Sequence, residues 1–341
     1  VKLGTGRLIL KSVVLLLVVS TFSSQKSLGL DDKPSAPSAP KIDSSNFRQE
    51  SISLEVKDLT PKFLQFYEAA VAAKAEPEQR WKLWQQYYGF AAVPPTAQGQ
   101  VMARKMLDEA WPNYPKVIDQ IRAGAAGMKP EPLPILKEVA QFLQLTRPVK
   151  IKLVVYVGMM EGNAFSAGVQ DGYQIVCIPV EMTPEQRELI LIHELTHAVH
   201  ITAAGLSGSW TRSIAVTMLQ EGLAIRTAQA LRPQHKAETY IEFTPGWLAK
   251  CAGKRGEILA GIRPNLSDSS SEAVTRFTVG SGSTGLEREA YYAGWLAVER
   301  MVKDGMTLAQ IAHLPEGEIV ARVDKSIQSV QAESAGSAGG R

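Results

Sequence analysis

The sequence predicts an α+β fold. Three observations carry that expectation: a first part read as helical, two β-branched runs near residues 150 and 175, and a long apolar helix opening at Thr183. With 45% hydrophobic and 21% charged residues among 341, the composition is that of a globular chain and excludes a disordered, collagenous or coiled-coil protein.

The N-terminal residues 1–25 read as a secretory signal. Lys2, Arg7 and Lys11 precede an apolar run over 13–19 and a Ser-rich stretch. The run is shorter than the ~20 residues of a membrane span. Export is therefore expected, with membrane attachment only through an uncleaved N-terminal segment. The same residues explain the charge. The chain carries 37 Lys and Arg against 34 Asp and Glu, and removing this acid-free segment leaves 34 of each sign. No basic cluster remains for nucleic acid. Residues 26–54, rich in Ser and Pro, read as a disordered tether.

Residues 55–147 read as a helical N-terminal domain. Thr60 is a cap candidate with Pro61 behind it, and Trp81, Trp84 and Tyr88 form an aromatic stripe of the kind that packs a core. Further helices are expected near 98–110, 114–124 and 132–145. Residues 148–325 read as a second domain, with strands at 149–157 and 173–179 around a Gly-rich connection. The segment 264–285, rich in Ser, Gly and Thr, reads as a mobile loop, and 326–341 as a disordered tail. Cys177 and Cys251 are too few for a disulfide scaffold and read as two buried thiols.

The central helix carries the chemistry. Thr183, Pro184 and Gln186 form a capping-box start, and an almost wholly apolar run follows toward Gly205. Within it lies His193-Glu194-Leu195-Thr196-His197. Positions i and i+4 of a helix differ by 40°, so both imidazoles leave one face and can hold one zinc. Glu194 can reach a water at that metal and is the general-base candidate. His200 shares the face but lies ~10 Å along the axis from His193, too far to join the same ion. It reads as a surface residue, with a place behind the ligands or beside the substrate as the other reading. A second helix after Ser213 contains Leu219-Gln220-Glu221-Gly222-Leu223-Ala224. Glu221 is the best-placed acid for a third ligand, and Gly222 would permit close approach of the two helices. One Zn2+ per chain is expected, held by His193, His197 and Glu221.

The HExxH motif followed by Leu-x-Glu-Gly-Leu-Ala resembles the gluzincin metallopeptidases. It is most similar to a family of predicted zinc-dependent proteases and, more distantly, to the catalytic domain of aminopeptidase N-like enzymes. The resemblance covers about 150–305. It implies a zincin-like domain with a small sheet over the HExxH helix, and peptide or protein substrates. It also implies a transition-state tyrosine in a Tyr-x-x-Gly motif, matched by Tyr291 and Gly294. An edge strand along the cleft would fall at 162–166. The Gly-x-Met-Glu-Asn exopeptidase motif is only approximated, because Gly162 separates Glu161 from Asn163, and this speaks against an amine-gripping glutamate. Two other readings fit the motif: a zinc hydrolase of esters or amides, and a non-catalytic envelope binding protein stabilised by zinc. A general base beside the ligands argues against the last. Endo- or exo-cleavage and oligomeric state are not encoded legibly.

Overall fold

The computed structural model describes residues 51–93, 96–209 and 211–338. The expected signal and most of the expected tether lie outside them. In chain order the elements are β1 (Ile52–Asp58), α1 (Thr60–Ala72), α2 (Pro77–Tyr87), α3 (Ala97–Ala110), α4 (Tyr114–Ala123), α5 (Pro132–Phe142), β2 (Val149–Tyr156), β3 (Phe165–Gln170) and β4 (Tyr173–Pro179). Then follow α6 (Pro184–Ala204), α7 (Ile214–Leu231), α8 (Ala237–Ile241), α9 (Trp247–Gly253), α10 (Arg255–Ile262), α11 (Ser271–Thr278), α12 (Glu289–Lys303), α13 (Leu308–Ala312) and α14 (Glu316–Ala338). The fold is α+β, with one mixed four-stranded sheet in the order β1-β2-β4-β3.

Strand β1 corrects the expected boundary between tether and helical domain. It begins at Ile52 and runs parallel to β2 from Ile52 opposite Val149 to Asp58 opposite Val155. Ile52, Leu54 and Val56 alternate with polar residues, which is the period of a strand. Asp58 then starts α1: its carboxylate accepts from the Thr60 backbone N–H at 2.8 Å and from the Thr60 hydroxyl at 2.7 Å. The N-cap position is therefore Leu59 rather than Thr60, and the Asp58 side chain just before it binds the first helical residue.

The helical first part is built against the sheet. Trp81 and Trp84 are buried and stacked 4.8 Å apart, as a core stripe requires. Tyr88 donates to the Val157 carbonyl and accepts from the Val157 N–H, both at 2.9 Å, while Tyr114 donates to the Gly158 carbonyl at 3.0 Å. Both phenols thus hold the chain where it leaves β2. One contiguous apolar core extends from Phe63 in α1 to Val330 in α14.

Helix α6 starts with both halves of its capping box and stops at Gly205, whose φ of 69° is the left-handed conformation that ends helices. Its burial on nearly every side makes it the central helix. Two later segments differ from expectation. The segment 264–285 contains α11, capped by the Ser270 hydroxyl and anchored by fully buried Val274 and Phe277. The tail is helical through Ala338, because Ile319, Val323, Ile327 and Val330 form a buried stripe at spacings of three and four. Among the described residues, no helix is long and apolar enough to cross a membrane.

Candidate metal centre

Helix α6 projects His193 and His197 from one face, and α7 packs beside it to bring Glu221 opposite them. The two Nε2 atoms are 3.1 Å apart. Glu221 Oε2 lies 3.3 Å from His193 Nε2 and 3.5 Å from His197 Nε2. Donors set tetrahedrally around zinc at ~2.0–2.1 Å are separated by about 3.3–3.4 Å, so the three edges fit one such ion. Glu221 Oε2 is buried and finds no hydrogen-bond partner beyond the facing imidazoles. Two imidazoles and one carboxylate oxygen converging in this way leave a cation as the natural occupant, and His₂Glu is a donor set suited to zinc.

The electrostatics agree. Burial by itself would raise the Glu221 carboxyl, but His197 and His193 outweigh it and hold the group well below the usual carboxylate range. Burial disfavours the His197 imidazolium, yet the charge of Glu221, reinforced by Glu194, raises its pKa. Glu194 is buried beside the trio, and its Oε2 accepts a hydrogen bond from Ser166 Oγ at 2.9 Å. Ser166 belongs to β3, the edge strand. A partner for Glu194 was not legible in the sequence, because it depends on the pairing of β3 with β4.

The trio opens into a pocket lined by β3, α6, α7, α8 and the start of α12. Glu194 and Tyr291 both face it. Tyr291 is buried to 7% exposure, its hydroxyl makes no hydrogen bond to another described residue, and burial followed by the charge of Glu221 pushes the phenol well above the ordinary range. It is therefore a neutral donor. One wall is apolar, formed by Leu189, Ile190, Ile225, Ala228 and Ile241.

Gly222 acts differently from the expectation. The helix it admits is α12, not α6. A Cβ on Gly222 would sit 2.2 Å from the Gly294 carbonyl oxygen, and one on Gly294 would sit 2.0 Å from the Met218 oxygen. The two glycines thus place the backbones bearing Glu221 and Tyr291 in direct contact. His200 is also displaced from its expected surface position. It is fully buried, both ring nitrogens lack partners, and burial, then His197 and Arg212, depress its pKa to about 3.

Glu161 does not line the pocket. Its carboxylate turns back onto the Met159 N–H, and it faces the enclosed carboxylate of Glu181 across Gly158. Burial, then the charge of Glu161, push Glu181 up to about 8. Cys177 and Cys251 are both buried and unpaired. No family model, curated protein or solved structure matches the chain.

Proposed function

We propose that the protein is a zinc-dependent peptidase built on a zincin-like domain. The observation that carries this reading is the His193–His197–Glu221 triangle, with edges of 3.1–3.5 Å, at the base of a pocket that also holds Glu194 and Tyr291. Zinc, when bound, supplies Lewis-acid polarisation of the scissile carbonyl and acidifies the attacking water.

The chain's own residues do the rest. Glu194, oriented by the Ser166 hydroxyl, accepts the proton of the attacking water and passes it to the leaving amine. The neutral Tyr291 hydroxyl donates to the oxygen on which negative charge develops. Strand β3 pairs on one side with β4 and is the edge of the sheet on the other, so an extended peptide can add to it as a further strand. The apolar wall accepts a hydrophobic side chain. Residues 1–25 support export as the setting.

The decisive experiment is Glu194→Gln, with zinc content, folding and peptide turnover measured together. Retained zinc and fold with a loss of about 10²–10⁴-fold in kcat is expected. Unchanged turnover on peptides overturns the mechanism. Turnover confined to small esters would favour the non-peptide hydrolase.

A further inference from the structure

Two arginines lie in the wall of this pocket with no assigned task. Arg212 precedes α7 and Arg288 precedes α12. Among the described residues, neither guanidinium makes an ion pair. Arg212 donates only to the Ser209 carbonyl at 3.3 Å, and its Nε is buried without a partner. Arg288 is buried to 5% exposure, and its guanidinium lies 5.0 Å from the ring centre of Tyr291 and 4.7 Å from that of Phe243. An enclosed guanidinium such as that of Arg288 is costly unless an anion meets it, and half-buried Arg212 adds an enclosed Nε.

The backbone makes the same point. Arg288 has φ 61° and ψ 33°, a left-handed conformation that is unfavourable for an ordinary side chain. It is held there by the next residue. The buried Glu289 carboxylate accepts from the Ser283 N–H and hydroxyl, both at 2.7 Å, and from the Thr284 N–H at 2.7 Å and hydroxyl at 2.6 Å. A strained residue clasped so that its cation faces a pocket is a feature of binding sites.

Charge counting fixes the sign of the ligand. The acids lining the pocket are Glu194 and Glu221, and together they balance one divalent cation. Two positive charges are then left over, and among the described residues no further acid lines the pocket to meet them. On this basis, and resting on the peptidase reading above, we propose that Arg212 and Arg288 bind a carboxylate of the substrate beside the metal centre. The protein would thus cleave peptides that present a carboxylate near the scissile bond, whether the C-terminal group or an acidic side chain.

The test uses zinc-loaded Glu194→Gln protein and three probes: Ac-Ala-Phe-Leu as the free acid, the same peptide as its amide, and Ac-Glu-Phe-Leu amide. Calorimetry is expected to show at least one carboxylate probe binding about tenfold or more tighter than the neutral amide. Preference for the free acid assigns the C-terminus, and preference for the glutamyl amide assigns the side chain. Arg288→Gln and Arg212→Gln should each reduce the preference to under about threefold, with Arg288→Lys restoring part of it; circular dichroism checks that each variant is folded. Equal affinity for all three probes, undetectable binding included, overturns the proposal, as does a preference that survives in both glutamine variants. Zinc content of the wild type separates the two readings. Equal affinities with zinc present overturn the arginine assignment alone, whereas a chain that takes no zinc but keeps an arginine-dependent preference is a carboxylate-binding protein and not a peptidase.

Discussion

The Tyr291 hydroxyl makes no hydrogen bond to a described residue, so it can be removed without leaving another group unpaired. Tyr291→Phe should lower kcat about 10²-fold while zinc content and melting temperature stay near wild type, which steady-state kinetics and metal analysis would check. An equal loss of stability would mean the tyrosine only packs. Glu181 gives a prediction of a different kind. In the unfolded chain it ionises near 4.5, but in the fold near 8. Between those values the folded chain holds a proton that the unfolded chain has released. Stability supplied by this group is therefore complete below about pH 4.5 and is lost as pH rises toward 8. Glu181→Gln, which resembles the protonated form, should match wild type at pH 4.5 and exceed it at pH 8 by on the order of 1–3 kcal/mol in urea unfolding. His193, Glu194 and His197 could be found in the sequence because helical spacing alone sets which side chains share a face. The partners of Glu194 and the fate of His200 could not, since both depend on which elements pack against α6.

At the scale of elements, the contact between α7 and α12 is the sharpest constraint. Gly222→Ala drives a Cβ into a backbone oxygen, which no rotamer change relieves. The substitution should destabilise by about 3 kcal/mol or more and reduce zinc occupancy, because Glu221 moves with the helix. Thermal melts with and without added zinc test this; wild-type stability in the variant would show that α12 is free to retreat. The start and stop of α6 were legible because capping is local chemistry: Thr183, Gln186 and Gly205 act within one turn. Strand β1 carried its alternating pattern openly, but the Ser/Pro-rich sequence before it obscured the signal and its partner lies about a hundred residues away in β2. Helix α14 was hidden in the opposite way, by the Ser, Gly and Ala composition of its last residues in the sequence.

For the molecule as a whole, β1 joins the N-terminal helices to the sheet that packs against α6, the helix of His193, Glu194 and His197. Removing residues 51–58 should leave β2 as an uncovered edge, lowering the melting temperature and promoting aggregation, as scattering on heating would show. Zinc removal should act on the same scale. Zinc bound as proposed between His193, His197 and Glu221 would tie α6 to α7, so a chelator should lower the melting temperature and added zinc should restore it. An unchanged melting temperature would place the ion outside this trio. The near-neutral balance of residues 26–341 was visible from charge counting, whereas the unmatched positive charge of the pocket was not. It arises from two arginines 76 positions apart that only the packing of α7 on α12 brings to one cavity.

The paired glycines also bear on redesign. Backbone seated on backbone sets how far α12 can slide along α7, so the spacing between Glu221 and Tyr291 does not depend on the size of any side chain. Positions such as Ile225 and Ala228 can then be enlarged or trimmed to change which substrate residue is accepted, while the reacting groups keep their alignment. The pocket is in this sense modular, with an interchangeable wall and a fixed floor.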